Sequence, residues 1–156
     1  MKQVSLIVVG KLRETFWAQA ADHFTSRLSR TMRVREIIVK DGNSRLSPAD
    51  RNVEEGERIL AALSPTDIPI ALDEHGTLRT SVEFARFLDD QTLDGNRTPC
   101  FLVGGAFGLS PAVRAACRHT FSLSPMTFTH EMARVLLLEQ LYRADAILRG
   151  SPYHHA

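Results

Sequence analysis

The sequence predicts an α/β fold, a mostly parallel sheet with helices on both faces, and three observations carry that expectation. Short apolar runs of strand length alternate with longer segments whose apolar residues recur at helical spacing. Capping chemistry marks the ends of several of the helical segments. No repeat, linker or low-complexity stretch divides the 156 residues, so a single domain over 1–156 accounts for the chain.

Taken in order, Val4 to Val9 reads as a buried strand, and Phe16, Ala20, Phe24 and Leu28 mark the inward face of the helix that follows. Val34 to Val39 is a second strand. A polar loop through Gly42 then ends at Ser47-Pro48, an N-cap followed by proline at the first helical position, and that helix turns Val53, Ile59, Leu60 and Leu63 inward. Ile68 to Leu72 is a third strand, closed by the polar turn Asp73-Glu74-His75-Gly76. Thr80 and Glu83 have the spacing of a capping box for a helix through Val82, Ala85 and Leu88.

Cys100 to Val103, a helix from Ser110-Pro111, a short strand around Phe121 and a last helix from His130 to Leu148 complete the series. Gly150 and Pro152 stop that helix as a C′ glycine and a following proline do. Its run Val135-Leu136-Leu137-Leu138 covers more circumference than one sheet contact requires. Two readings stay open: burial within one domain, or packing against a second subunit.

Composition bounds function only loosely. A hydrophobic share of 44% and a charged share of 24% are ordinary globular values and argue against disorder. The net charge of +1 gives no bulk attraction to nucleic acid, so any such contact must come from local clusters. Arg27, Arg30, Arg33 and Arg35 form one, whose plain reading is a solvated helix end and strand edge. Cys100 and Cys117 lack a CxxC spacing and the start of the chain lacks a signal-peptide pattern, so a cytoplasmic protein is expected. The longest apolar run falls short of the roughly 20 residues that cross a bilayer, which predicts no membrane partner. Cys117 and His119 find no further ligand at zinc-site spacing, so no metal is expected either.

Function concentrates in two loops. The run Phe101-Leu-Val-Gly-Gly-Ala-Phe-Gly-Leu-Ser110 takes a buried strand into glycines and then to a helix start. Glycine admits positive φ and a ligand's close approach, and open α/β sheets bind at the carboxyl ends of their strands. Leu123-Ser-Pro-Met-Thr-Phe-Thr-His130 repeats the arrangement before the last helix. Neither loop has the ending of a P-loop or the spacing of a dinucleotide fingerprint, so a nucleoside triphosphate is not expected.

With those loops, Arg134, Glu139-Gln-Leu-Tyr-Arg-Ala144 and the terminal Pro152-Tyr-His154, the chain resembles the RlmH family of SPOUT-class methyltransferases. Val9-Gly10-Lys11 and Ile70-Ala71-Leu72 look like family positions in the first half. Thr129 departs from the proline expected before His130, a change of loop stiffness rather than chemistry.

The resemblance implies a deep trefoil knot in the C-terminal part, S-adenosylmethionine among the knotted loops, and a homodimer whose subunits complete each site. It implies methylation of N3 of a pseudouridine in 23S ribosomal RNA of the large ribosomal subunit. By that similarity Leu72, Gly104, Leu123, Ser124, Pro125, Met126, Thr127 and Phe128 contact the cofactor. Loss of the N3 proton assigns catalytic candidates, namely Tyr153, His154 and Arg134. Plainer roles stand beside these: a cap or core role for His130, a carboxylate partner for Arg134, and an ion pair between Glu139 and Arg143. A SPOUT enzyme acting on another base or on transfer RNA, and a ribosome-associated binding protein without turnover, are the alternatives.

Overall fold

The computed structural model describes residues 1–155. Five strands alternate with five helices. They are β1 (Lys2–Val9), α1 (Thr15–Leu28), β2 (Met32–Val39), α2 (Pro48–Ala62), β3 (Asp67–Leu78), α3 (Ser81–Thr92), β4 (Thr98–Val103), α4 (Pro111–Ala116), β5 (His119–Ser122) and α5 (His130–Leu148). All strand pairs are parallel, in the order β2-β1-β4-β3-β5. Parallel strands need crossovers, and the intervening helices supply them on both faces.

Alternation along β1 sets the two layers. Val4, Leu6 and Val8 face a core with α1, α3 and α5, whereas Ile7 and Val9 face a second core with α2 and α4. The expected α/β sandwich with two covered faces is therefore what forms. The first core holds Phe84, Phe101 and Phe121, with the Phe84 and Phe121 rings stacked at 4.6 Å between centroids.

Local chemistry explains the helix ends. Ser47 caps α2 with Pro48 behind it, and Thr80 and Glu83 form the reciprocal capping box of α3. Thr129, the departure from the family pattern, caps α5 by accepting from the Met132 amide at 3.3 Å. After α5, Gly150 takes φ +65°, and the amides of Ser151 and Gly150 return to the carbonyls of Ala146 and Ile147. This is a Schellman stop.

Two expectations need correction, and one of two open readings accounts for α5. Phe16 and Val53 point outward, at 57% and 50% exposure, because Ala21 with Leu28 and Glu55 with Ile59 occupy the inward faces instead. Asp73-Glu74-His75-Gly76 is not a closing turn: β3 runs on to Leu78, with a register shift against β5 between Leu72 and Thr77. The apolar girth of α5 is largely used within this chain, since Val135, Leu137, Leu138, Leu141 and Ala144 are buried in the first core. It supplies no argument for a second subunit.

Candidate active site

A cleft of about 340 Å³ opens at the carboxyl ends of β3, β4 and β5, within the size range of small-molecule sites. Its walls are the two loops singled out in the sequence together with the end of the regular part of β3. Leu72, Gly104, Leu123, Ser124, Met126, Thr127 and Phe128 all line it. Pro125 does not line it; it is exposed between residues that do.

Gly104 and Gly108 shape the first wall by different means. Gly104 lies in ordinary backbone space, but a Cβ there would collide with the Gly108 carbonyl group and the Leu109 amide, so close approach of backbone to backbone demands glycine. The positive φ expected of this loop falls on Gly108, at +73°. Gly108 donates to the Gly105 carbonyl at 3.1 Å, which closes a tight turn with Ala106 and Phe107 at its tip.

Behind that turn stands α2. Asn52 Nδ2 donates to the carbonyls of Gly108 at 2.8 Å and Phe107 at 3.3 Å. Glu55 is buried; one oxygen accepts from the Gly42 amide at 2.9 Å and from Arg51 Nε at 3.3 Å, while the other lies against Gly105. Nothing in the spacing of α2 announced this brace, because Asn52 and Glu55 also fit a solvated helix.

The second wall is tied down by side-chain hydroxyls. Ser122 Oγ donates towards the carbonyls of Glu74 at 3.1 Å and Ser124 at 2.9 Å, Ser124 Oγ accepts from the Met126 amide at 3.0 Å, and Thr127 bonds the Glu74 carboxylate. Asp73, nearly buried, pairs with Arg114 at 2.8 Å and accepts from the His75 amide at 2.9 Å. Asp73, Glu74, Arg114, His130 and Ala133 also line the cleft and were missed as site residues. Asp73 and Glu74 were legible as the residues just past a strand's carboxyl end, a signal the turn reading discarded.

Chemically, the cleft offers an aliphatic and aromatic floor from Leu72, Val103, Leu109, Leu123 and Phe128, with carboxylates at one edge. It suits a flat, mostly apolar ring with polar edges and a ligand group able to meet a carboxylate. The glycine loop brings backbone at Gly104, Gly105 and Gly108 to the ligand, with Phe107 and Leu109 beside it.

The three catalytic candidates lie apart from this cleft in the single chain. Arg134 is buried and bound through Nε to Glu36 on β2. The Tyr153 hydroxyl donates to Glu139 at 3.1 Å, and its ring meets Tyr142 edge-on at 4.6 Å between centroids. Burial, then the negative Glu139, raises its phenol pKa above the ordinary value. His154 Nδ1 lies 3.4 Å from Arg143, which also pairs with Glu139 at 2.6 Å. The expected Glu139–Arg143 pair is therefore present, and the tail rests on it. Among the described residues no cluster of three or more potential metal ligands occurs, and no helix is long and apolar enough to cross a membrane.

Known proteins match the whole chain. Ribosomal RNA large subunit methyltransferase H of Nitratidesulfovibrio vulgaris strain DP4 is 54% identical over 99% of this chain and 99% of its own. The protein of the same name from Lawsonia intracellularis is 51% identical over 99% of this chain and 98% of its own. The solved SpoU methyltransferase AviRb of Streptomyces viridochromogenes, in complex with AdoMet, aligns at 16% identity and a TM-score of 0.45. That alignment covers 96% of this chain and 59% of AviRb, and the likeness is too weak to carry an argument. The model of the family described as predicted SPOUT methyltransferase matches residues 1–154, and with these full-length relatives it establishes that the chain belongs to the SPOUT methyltransferases.

Proposed function

We propose that residues 1–156 form one methyltransferase domain that transfers a methyl group from S-adenosylmethionine to large-subunit ribosomal RNA, at N3 of a pseudouridine. The observation that carries the reading is the cleft built from both glycine-bearing and hydroxyl-tied loops, in a chain matched end to end by large-subunit RNA methyltransferases.

The residues fit the cofactor. Leu72, Leu123 and Phe128 suit the adenine ring, Gly104 gives backbone access, and Ser124, Met126 and Thr127 close the second wall, with Pro125 stiffening its bend. Glu74 places negative charge where a cationic ligand gains from it, while the charge of Asp73 is balanced by Arg114. Bound there, S-adenosylmethionine supplies an activated methyl on a sulfonium. What the chain must add is orientation, for which well-placed groups reach effective molarities of about 10⁵ to 10⁸ M, and removal of the N3 proton.

His154 is assigned to phosphate contact or proton loss and Tyr153 to stacking on or hydrogen-bonding the target nucleotide, with Arg134 as the third candidate once Glu36 releases it. In one chain α5 separates the tail's resting place from the cleft, since Tyr153 sits beside Glu139 and Tyr142 while His130 and Ala133 face the cleft. A homodimer with shared sites, as the family resemblance implies, would let the tail of a second subunit complete the cleft. The trefoil knot that the family resemblance implies for the C-terminal part belongs to the same reading.

The test is labelled methyl transfer from S-adenosylmethionine to ribosomes, followed by mass spectrometry of the ribosomal RNA. One methyl on one pseudouridine is expected. A methyl on another base, or on transfer RNA, changes the substrate, and no transfer from a protein that binds the ribosome removes the enzyme reading.

A further inference from the structure

Phe107 lines the cofactor cleft and still leaves much of its surface open. It is 48% exposed, at the tip of a turn closed by the Gly108–Gly105 hydrogen bond and held from behind by Asn52. The Arg51 guanidinium lies 5.6 Å from its ring centroid. Arg51 in turn lies 3.9 Å from Asp41, and Asp41 lies 3.9 Å from Arg13, whose side chain is 77% exposed. These residues run from the rim of the cleft past the carboxyl ends of β2 and β1, with the Asp41 carboxylate between the two guanidiniums. Exposed Lys11 and Lys40 flank them and add positive charge.

An exposed aromatic with a guanidinium over one face and exposed cations beyond it matches the sequence-tolerant chemistry of single-stranded nucleic acid: a base stacks on the open face of the ring and a phosphate meets an exposed cation. Rigidity matters here. A platform fixed by backbone hydrogen bonds loses little conformational freedom when a base lands on it. This run of residues also begins where an acceptor nucleotide has to enter.

We propose that Phe107, covered on one face by Arg51, offers its other face as a stacking platform for an unpaired base of the RNA next to the acceptor nucleotide, with Arg13 and Lys11 meeting the backbone phosphates. The proposal rests on the RNA-methyltransferase reading and names where that substrate lands. Phe107 docks RNA and takes no part in methyl transfer.

The test compares Phe107→Ala, Phe107→Trp and Arg13→Glu with the parent protein in ribosome methylation, cofactor calorimetry and sedimentation. Phe107→Ala is expected to raise KM for ribosomes roughly five- to 150-fold, the range of one lost stack, with kcat little changed. Phe107→Trp should restore KM, and Arg13→Glu should raise it with a reduced salt dependence. In a Trp17→Phe background, the indole introduced by Phe107→Trp should lose fluorescence when purified large-subunit ribosomal RNA is added. Three results overturn the platform: an unchanged KM in Phe107→Ala, weakened cofactor binding, which gives the ring to the cofactor, or loss of the parent's assembly state, which gives it to a subunit contact. A parent protein that methylates no ribosome defeats the functional reading instead, while the fluorescence result still decides whether RNA stacks at 107.

Discussion

The Asn52 side-chain amide donates to the Gly108 carbonyl at 2.8 Å, and so fastens the first turns of α2 to the far end of the glycine loop. The contact is exposed and makes no core, so its value lies in holding one wall of the cleft in place. A typical net hydrogen bond is worth about 1 kcal/mol. Asn52→Ala is expected to weaken S-adenosylmethionine binding roughly two- to tenfold in calorimetry while the melting temperature moves little. Unchanged affinity would show that the loop holds its shape without α2.

Cofactor binding itself should stabilise the fold. At ligand near 100 times its dissociation constant, linkage contributes about 2.7 kcal/mol, and a domain of this size should melt roughly 5 to 10 °C higher. Gly104→Val should abolish that shift, because its side chain lands on the backbone of Gly108 and Leu109 and pushes the two ends of the loop apart. A folded Gly104→Val protein with a normal shift would refute the cradle.

Removing residues from Tyr153 onward separates the tail's two possible roles. Within the chain, truncation takes away the Tyr153–Glu139 hydrogen bond and the ring packing on Tyr142, both partly exposed. Stability should fall by only about 1 kcal/mol, with cofactor binding retained, while ribosome methylation collapses. Normal methylation by the truncated protein would withdraw the assignments to Tyr153 and His154.

Sedimentation tests the dimer. A specific interface buries about 1,200 Å² or more in total and survives dilution to micromolar concentration. A monomer that still methylates ribosomes would mean that each site is completed within one chain.

Cys100 gives an alkaline signature of the core. It is fully buried on β4, and burial, with Asp67 adding to it, pushes the thiol up to about 12. Its unfolded value is near 9.0, so the folded state gains from the neutral thiol below pH 9 and loses that gain as pH rises through 12. Denaturant titrations should show stability falling across that window, with a shallower fall in Cys100→Val. Alkylation of the native protein at pH 8 should leave Cys100 unmodified, since the reactive thiolate is absent.

Much of the fold was legible because local rules and tertiary packing agreed. Ser47-Pro48, Thr80 with Glu83, and Gly150 with Pro152 fixed helix ends through backbone chemistry that needs no distant partner. Phe16 and Val53 point outward because a helix with apolar residues on two sides does not declare which faces the sheet; Ala21 is buried on α1, and Gly56 of α2 fits against Ser110 and Val113 more closely than a larger side chain can. Asp73 to Gly76 looked like a turn by composition, yet Leu72 before it and Thr77 after it both pair with Phe121 of β5, which makes it an unpaired bulge within β3.

The sequence by itself determined the alternating elements, both cover layers of the sheet, and the two loops that wall the cleft, since periodicity, capping and glycine runs are written in neighbouring residues. Tertiary structure decided what those loops meet. It placed Asn52 and Glu55 behind the glycine turn, joined Asp73 to Arg114, bound Arg134 to Glu36 and laid Tyr153 on Glu139. The physical reason is that each of these contacts joins groups far apart in the chain or separated by a turn of helix. Its energy depends on the distance and burial that packing alone sets.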